Sequence, residues 1–127
     1  MTRWIVDAMN VIGSRPDRWW NDPDRAMREM ADAVDGYAVA TETDITLVFD
    51  KDPGDLPSTT RIEIVIASRS GRDAADHEIV QLVEEDDDPG SLRVVTSDRR
   101  LVERVTDLGA GITSAGRFRR DLDRISE

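Results

Sequence analysis

Trp4-Ile5-Val6-Asp7-Ala8-Met9-Asn10-Val11-Ile12-Gly13 is a short apolar run that ends in a carboxylate. An amide follows three residues later, then more apolar residues and a glycine. The run reads as a buried strand passing into a loop, which places Asp7 at the strand's carboxyl end. In open parallel α/β sheets that edge is where ligands bind.

Further apolar runs at residues 45–49, 62–67 and 92–95, with a weaker one at 111–114, have the same character. They are β-branched and mostly continuous, as expected of parallel strands buried on both faces. Helical patterns lie between most of them. Asp22-Pro23 is a start signal, an N-cap followed by proline at the first helical position. Met27, Met30, Ala31, Val34 and Ala38 then recur at helical spacing. A second helix begins near Asp73, carries Ile79, Leu82 and Val83, and stops at the acidic turn Asp86-Asp87-Asp88. A third starts at Ser97 or Asp98 and carries Leu101, Val102, Val105 and Leu108, with Gly109 as its C′ residue. A last one carries Phe118, Leu122 and Ile125.

Strands alternating with helices predict an α/β three-layer sandwich. Its central, mostly parallel sheet has about five strands flanked by helices, in one domain spanning residues 1–127. The link over residues 51–60 shows no helix, although a parallel crossover normally needs a dozen or more residues. An extended crossover is favoured over an antiparallel third strand.

A chain of 127 residues can bury a single core. It has no cysteine, which excludes disulfides and thiolate metal ligands. A strand in the first residues leaves no room for a signal peptide, and no apolar run approaches a membrane span, so a cytoplasmic protein is expected. The net charge of −10 makes it a poor generic binder of nucleic acid, since phosphate contacts need cations. Charge is unevenly spread, however. Lys51 is the only lysine, whereas Arg117, Arg119, Arg120 and Arg124 make the C-terminal segment basic. Arg69, Arg72, Arg99, Arg100 and Arg104 lie near the acids considered next.

Asp50 follows the second strand and Asp98 the fourth, so in a parallel sheet both share the edge of Asp7. Asp is also favoured at turns and helix caps, and Asp98 fits an N-cap. Asp76 has Ile79, Val80 and Val83 as its i+3, i+4 and i+7 neighbours, which puts it on the apolar stripe facing the sheet. An inward carboxylate must be paired, hydrogen-bonded, protonated or bound to metal. The competing reading is a helix start, with Asp73 as N-cap and Asp76 in the first turn. Converging carboxylates raise one another's pKa, and all-oxygen ligands suit Mg²⁺ or Mn²⁺ rather than zinc. The single His77 falls on the polar side of its helix, and no Gly-rich phosphate loop of standard spacing is present.

The ordered set Asp7-x-x-Asn10-Val11-Ile12-Gly13, Val48-Phe49-Asp50, Asp73-Ala74-Ala75-Asp76-His77-Glu78-Ile79 and Thr96-Ser97-Asp98 resembles the NYN branch of the PIN-like nuclease superfamily. It is most similar to the YacP-like group of predicted ribonucleases. The resemblance implies a parallel α/β sheet and RNA cleavage dependent on Mg²⁺ or Mn²⁺. It makes Asp7, Asp76 and Asp98 the metal-binding acids, Asp50 a further acid, and Asn10 and Ser97 supporting polar residues. The chain departs from the family pattern at Ala8, where glycine is usual, at Met9, where an aromatic is common, and at Asp73, where a neutral or hydroxyl residue often stands.

The implied reaction is phosphodiester hydrolysis leaving a 5′-phosphate and a 3′-hydroxyl. Arg15, Arg18, Trp19, Trp20, Arg99, Arg117, Arg119 and Arg120 are the candidates for gripping RNA. Exposed tryptophans stack on unpaired bases. Against this, a tryptophan can pack over the helix start, and the C-terminal arginines can pair with Asp121 and Asp123. A non-catalytic RNA-binding or ribosome-associated module of the same fold is the alternative function. A nucleotide phosphohydrolase and a phospho-receiver domain are weaker fits, the latter because Lys51 directly follows Asp50.

Overall fold

A computed structural model describes residues 3–68, 71 and 73–126. Arg69 and Arg72 lie outside the described residues. Five strands, β1 (Arg3–Asp7), β2 (Asp44–Phe49), β3 (Glu63–Ile66), β4 (Leu92–Val95) and β5 (Gly111–Thr113), form one sheet in the order β3-β2-β1-β4-β5. Every pairing is parallel. The sheet is therefore wholly parallel, as the continuous apolar runs require.

Alternation along the strands feeds two cores. Val6, Leu47, Phe49 and Val95 face one side, covered by α1 (Ala8–Gly13), α2 (Pro23–Thr41) and α5 (Ala115–Ser126). Ile5, Val48 and Val94 face the other, covered by α3 (Ala74–Glu84) and α4 (Arg99–Asp107). The predicted helical positions Met27, Met30, Ala31, Val34 and Ala38 are all buried under α2. Asp22 caps α2 by accepting from the Arg25 N–H at 3.2 Å, with Pro23 at the first helical position. Gly109 takes φ +104° just past α4, where a side chain would be strained.

One element differs from expectation. The residues after Asp7 form a six-residue helix rather than a loop. Ala8, Val11 and Ile12 are all fully buried, at the i, i+3, i+4 spacing of a helical face. The helix is too short for its periodicity to stand out from the strand before it.

The helix-free crossover is extended and β3 is parallel to β2. Its far end is held by one side chain. Asp35 on α2 accepts backbone N–H groups from Thr60, Arg61 and Ile62 at 2.8–3.1 Å. These bonds satisfy amides that a helical crossover would have paired internally. Burial is the largest single effect and raises the Asp35 carboxyl, but the three sets of backbone bonds together bring it below the usual range. Its contribution is therefore present at neutral pH and lost as pH falls through that lowered pKa. At the same amino-terminal edge of the sheet, Arg3 grips Asp86 with paired bonds of 2.7 and 2.8 Å, and that hydrogen-bonded guanidinium brings the Asp86 carboxyl down to about 2.

Asp35→Ala should destabilise the fold by about 1–2 kcal/mol at pH 7, the usual cost of removing charge-assisted backbone bonds at a partly exposed site. Urea denaturation checks it. The difference from wild type should shrink at low pH, where Asp35 is protonated in both states.

Candidate active site

Register decides which residues meet at the carboxyl edge. Asp7 pairs with Val48, so Asp50 stands two positions beyond on the neighbouring strand. Val6 pairs with Val95, which sets Thr96 level with Asp7. The first turn of α3 brings Asp76 to the same place, and Asp98 sits at the start of α4. Asp7, Asn10, Asp50, Asp76 and Asp98 line one cleft of about 210 Å³, with Met9 and Ala75 as its apolar parts. Four carboxylates from four separate segments are thus brought together.

Asp7 is the deepest of them, with 5% of its surface exposed. Burial pushes its carboxyl up to about 7; the Thr96 hydroxyl opposes this, while Asp76 and Asp98 add to it. Thr96 is fully buried and donates to Asp7 Oδ2 at 3.0 Å. The same hydroxyl accepts the Asp98 backbone N–H at 3.2 Å. Thr96 is the site residue that sequence reasoning missed as an individual, although it stands inside the Thr96-Ser97-Asp98 motif. A threonine abutting the end of a buried strand was the available signal.

Asp98 does act as an N-cap: its Oδ1 accepts from the Arg100 and Leu101 N–H groups at 3.0 and 3.3 Å. Its Oδ2 makes no hydrogen bond among the described residues. Asp76 is half-buried, and burial, Asp98 and Asp73 raise its pKa while Arg104 and Arg100 lower it. Asp73 occupies the N-cap position of α3 without a capping side-chain bond and is exposed. Asp50 Oδ1 is buried with no hydrogen-bond partner.

Asn10 and Ser97 are occupied in holding segments together. Asn10 Oδ1 accepts the Ser97 N–H at 2.8 Å, and Ser97 Oγ accepts the Ala115 N–H at 2.9 Å at the start of α5. Because Oδ1 faces an obligate donor, the Asn10 Nδ2 must be the amide group left over for the cleft.

Fit to a divalent ion can be weighed from these groups. A set of carboxylate oxygens, one buried and unpaired, matches a hard cation. A cation would also offset the burial, and the smaller mutual repulsion, that raise Asp7 and Asp76. Among the described residues, however, no three His, Asp or Glu side chains stand close enough together to hold an ion as they are oriented. Ligation requires side chains to turn inward within the cleft.

None of the predicted RNA-gripping residues lines this cleft. Arg15 pairs with Asp17 at 2.9 Å, and Arg119 with Asp123 at 3.3 Å. Asp121 pairs with Arg124 instead. Arg99, Arg117 and Arg120 are exposed. Trp19 packs partly buried against the α2 core, whereas Trp20 is 58% exposed. His77 is on the surface, as its position predicts. No helix among the described residues is long and apolar enough to cross a membrane.

Fold and cleft together define a class, an α/β domain with an acidic site at the carboxyl edge of a parallel sheet. The chain belongs to the YacP-like NYN domain family, whose model matches residues 4–127. That family is nuclease-like, RNA-related and generally metal-dependent. The chain is also similar to a crystal structure of Rae1 (YacP) from Bacillus subtilis, at 24% identity and TM-score 0.82, covering 99% of this chain and 76% of that one. A tryptophan-to-leucine mutant of the same protein matches at 24% identity and TM-score 0.79, covering 99% and 77%. At this identity the likeness shows the fold. No curated protein matches the chain.

The raised pKa of Asp7 carries a stability consequence. A carboxyl whose folded pKa lies above its unfolded value stabilises fully below the unfolded value and loses that contribution as pH rises through about 7. Metal-free protein should therefore lose on the order of 2–3 kcal/mol from this group between pH 5 and pH 8. Asp7→Asn should flatten that slope and melt higher than wild type at pH 8, as thermal denaturation in EDTA would record.

Proposed function

We propose that this chain is a Mg²⁺- or Mn²⁺-dependent endoribonuclease, cytoplasmic, that hydrolyses RNA at the acid cleft to leave 5′-phosphate and 3′-hydroxyl ends. Its membership of a nuclease-like family supports the reading. The observation that carries it is the convergence of Asp7, Asp50, Asp76 and Asp98 on one cleft, with Asp7 buried and Asp50 Oδ1 unpartnered.

Asp7, Asp76 and Asp98 would hold the ion, with Asp50 as a further acid. A divalent ion bound there would neutralise phosphate charge and lower the pKa of water. The protein's own groups then have defined tasks. Thr96 keeps Asp7 Oδ2 oriented. Asp98 spends Oδ1 on its helix and leaves Oδ2 for the cleft. Asn10 presents Nδ2 to a phosphate oxygen because Ser97 fixes its Oδ1. Arg99, Arg117, Arg119 and Arg120, on helices that start at the same sheet edge, would meet the RNA backbone, and ribosome-bound RNA is among the substrates to try. A second reading, RNA binding without cleavage, is favoured by the absence of a preformed trio of ligands among the described residues.

Incubation with a mixed RNA pool and Mn²⁺, followed by end mapping, separates the two. Cleavage with 5′-phosphate ends should appear for wild type. It should fall at least about a hundredfold for Asp7→Asn, Asp76→Asn or Asp98→Asn, because even residues behind metal ligands cost roughly 10–100-fold when changed. Binding without cleavage under every divalent ion would establish the second reading. Full activity of Asp7→Asn would remove the cleft from the mechanism.

A further inference from the structure

A second concavity lies beside the acid cleft, at the other end of α1. It is a groove of about 300 Å³ lined by Arg15, Arg18, Trp19, Asn21 and Arg25, with carboxylates at its margin. Asn10 lines the cleft and Arg15 the groove. The chain continues helically between them, since the Ser14 and Arg15 N–H groups bond back to Val11 and Ile12. At about 1.5 Å per residue the separation is roughly 7–8 Å. That is a span of about two nucleotides at ~3.4 Å per stacked step.

Two features at this groove are otherwise unexplained: one on Arg18, which lines it, and one on Trp20, which lies outside the lining but touches its Trp19. Trp20 is 58% exposed, the most exposed large apolar side chain among the described residues, on a strongly acidic protein. Its ring stands edge-on to Trp19 at 82°, with centroids 6.1 Å apart. Trp19 packs against the core, so Trp20 is braced rather than loose. Arg15 pairs with Asp17 and Arg25 with Glu29, whereas Arg18 takes part in no ion pair among the described residues. An exposed aromatic ring two residues along the chain from an unpaired arginine can grip a flexible strand, one base stacking while a phosphate is neutralised.

We infer that Trp20 and Arg18 form a subsite, apart from the acid cleft, that holds one unpaired nucleotide of a bound RNA strand. This rests on the reading of the acid cleft as the place of cleavage. A duplex has no free base face to offer at such a platform, because its bases are stacked on one another. A preorganised ring also loses little entropy on binding.

The test is binding of a short labelled single-stranded oligoribonucleotide in EDTA, read by anisotropy, alongside a duplex of the same length. Wild type should prefer the single strand. Trp20→Ala should weaken that binding about tenfold or more, and Trp20→Tyr should restore most of it, as stacking requires. Trp20 fluorescence, isolated by difference from Trp20→Phe, should be quenched by the single strand. No measurable binding by wild type, equal binding of the duplex, or an unchanged affinity in Trp20→Ala overturns the inference. Since no divalent ion is present, Trp20-dependent binding without any later metal-dependent cleavage would fell the nuclease reading and leave this subsite standing.

Discussion

Asp7 ends the central strand of the sheet with its carboxylate almost wholly withdrawn from water. Taking a charge out of water is costly unless partners compensate. Here the compensation is partial: one hydroxyl donates to it, while two neighbouring carboxylates oppose its ionisation. The arrangement around it follows from that constraint. Parallel pairing on both sides brings β2 and β4 to the same level, Thr96 reaches across from the end of β4, and the end of β2, the first turn of α3 and the N-cap of α4 supply the remaining acids. The conflict between fold stability and ionisation is therefore local, confined to one edge of an otherwise apolar sheet.

Most of the architecture was legible because strands buried on both faces leave an unmistakable trace. The continuous runs around Ile45–Phe49 and Leu92–Val95 marked the strands, and the Met27 to Ala38 stripe marked α2 with its Asp22-Pro23 start. The first turn after Asp7 was not legible. Six residues hold fewer than two helical turns, so Ala8, Val11 and Ile12 look like a continuation of the apolar strand. An extended crossover to a parallel β3 was favoured over an antiparallel strand, and the pairing is parallel; the hold of Asp35 on residues 60–62, from a helix distant in sequence, is a tertiary contact that no local pattern announces.

The site was legible in composition more than in geometry. Acids after apolar runs pointed to the edge where Asp7, Asp50 and Asp98 gather, and the stripe argument brought Asp76 to it. The division of labour was hidden. Asp98 caps a helix with one oxygen and also lines the cleft, so capping does not take it away from the acid edge. Asn10 and Ser97 tie α1, the β4 loop and α5 into one unit, which only their hydrogen-bond partners reveal. The arginine candidates divided for a similar reason: Arg15 and Arg119 have acidic partners in contact, and the others remain in solvent.

The grip of Asp35 on residues 60–62 has a further consequence, for what the chain tolerates. Strand β3 takes its register from an anchor on α2, placed after the loop and not within it. The stretch around Gly54 and Asp55, where both residues have positive φ, is therefore insulated from the sheet it leads to. Lengthening a flexible loop costs only about 0.6 kcal/mol per doubling. Within this segment the exposed Gly54 and Asp55, between the buried Pro53 and the core-packed Leu56, are the positions where added residues would disturb the sheet least.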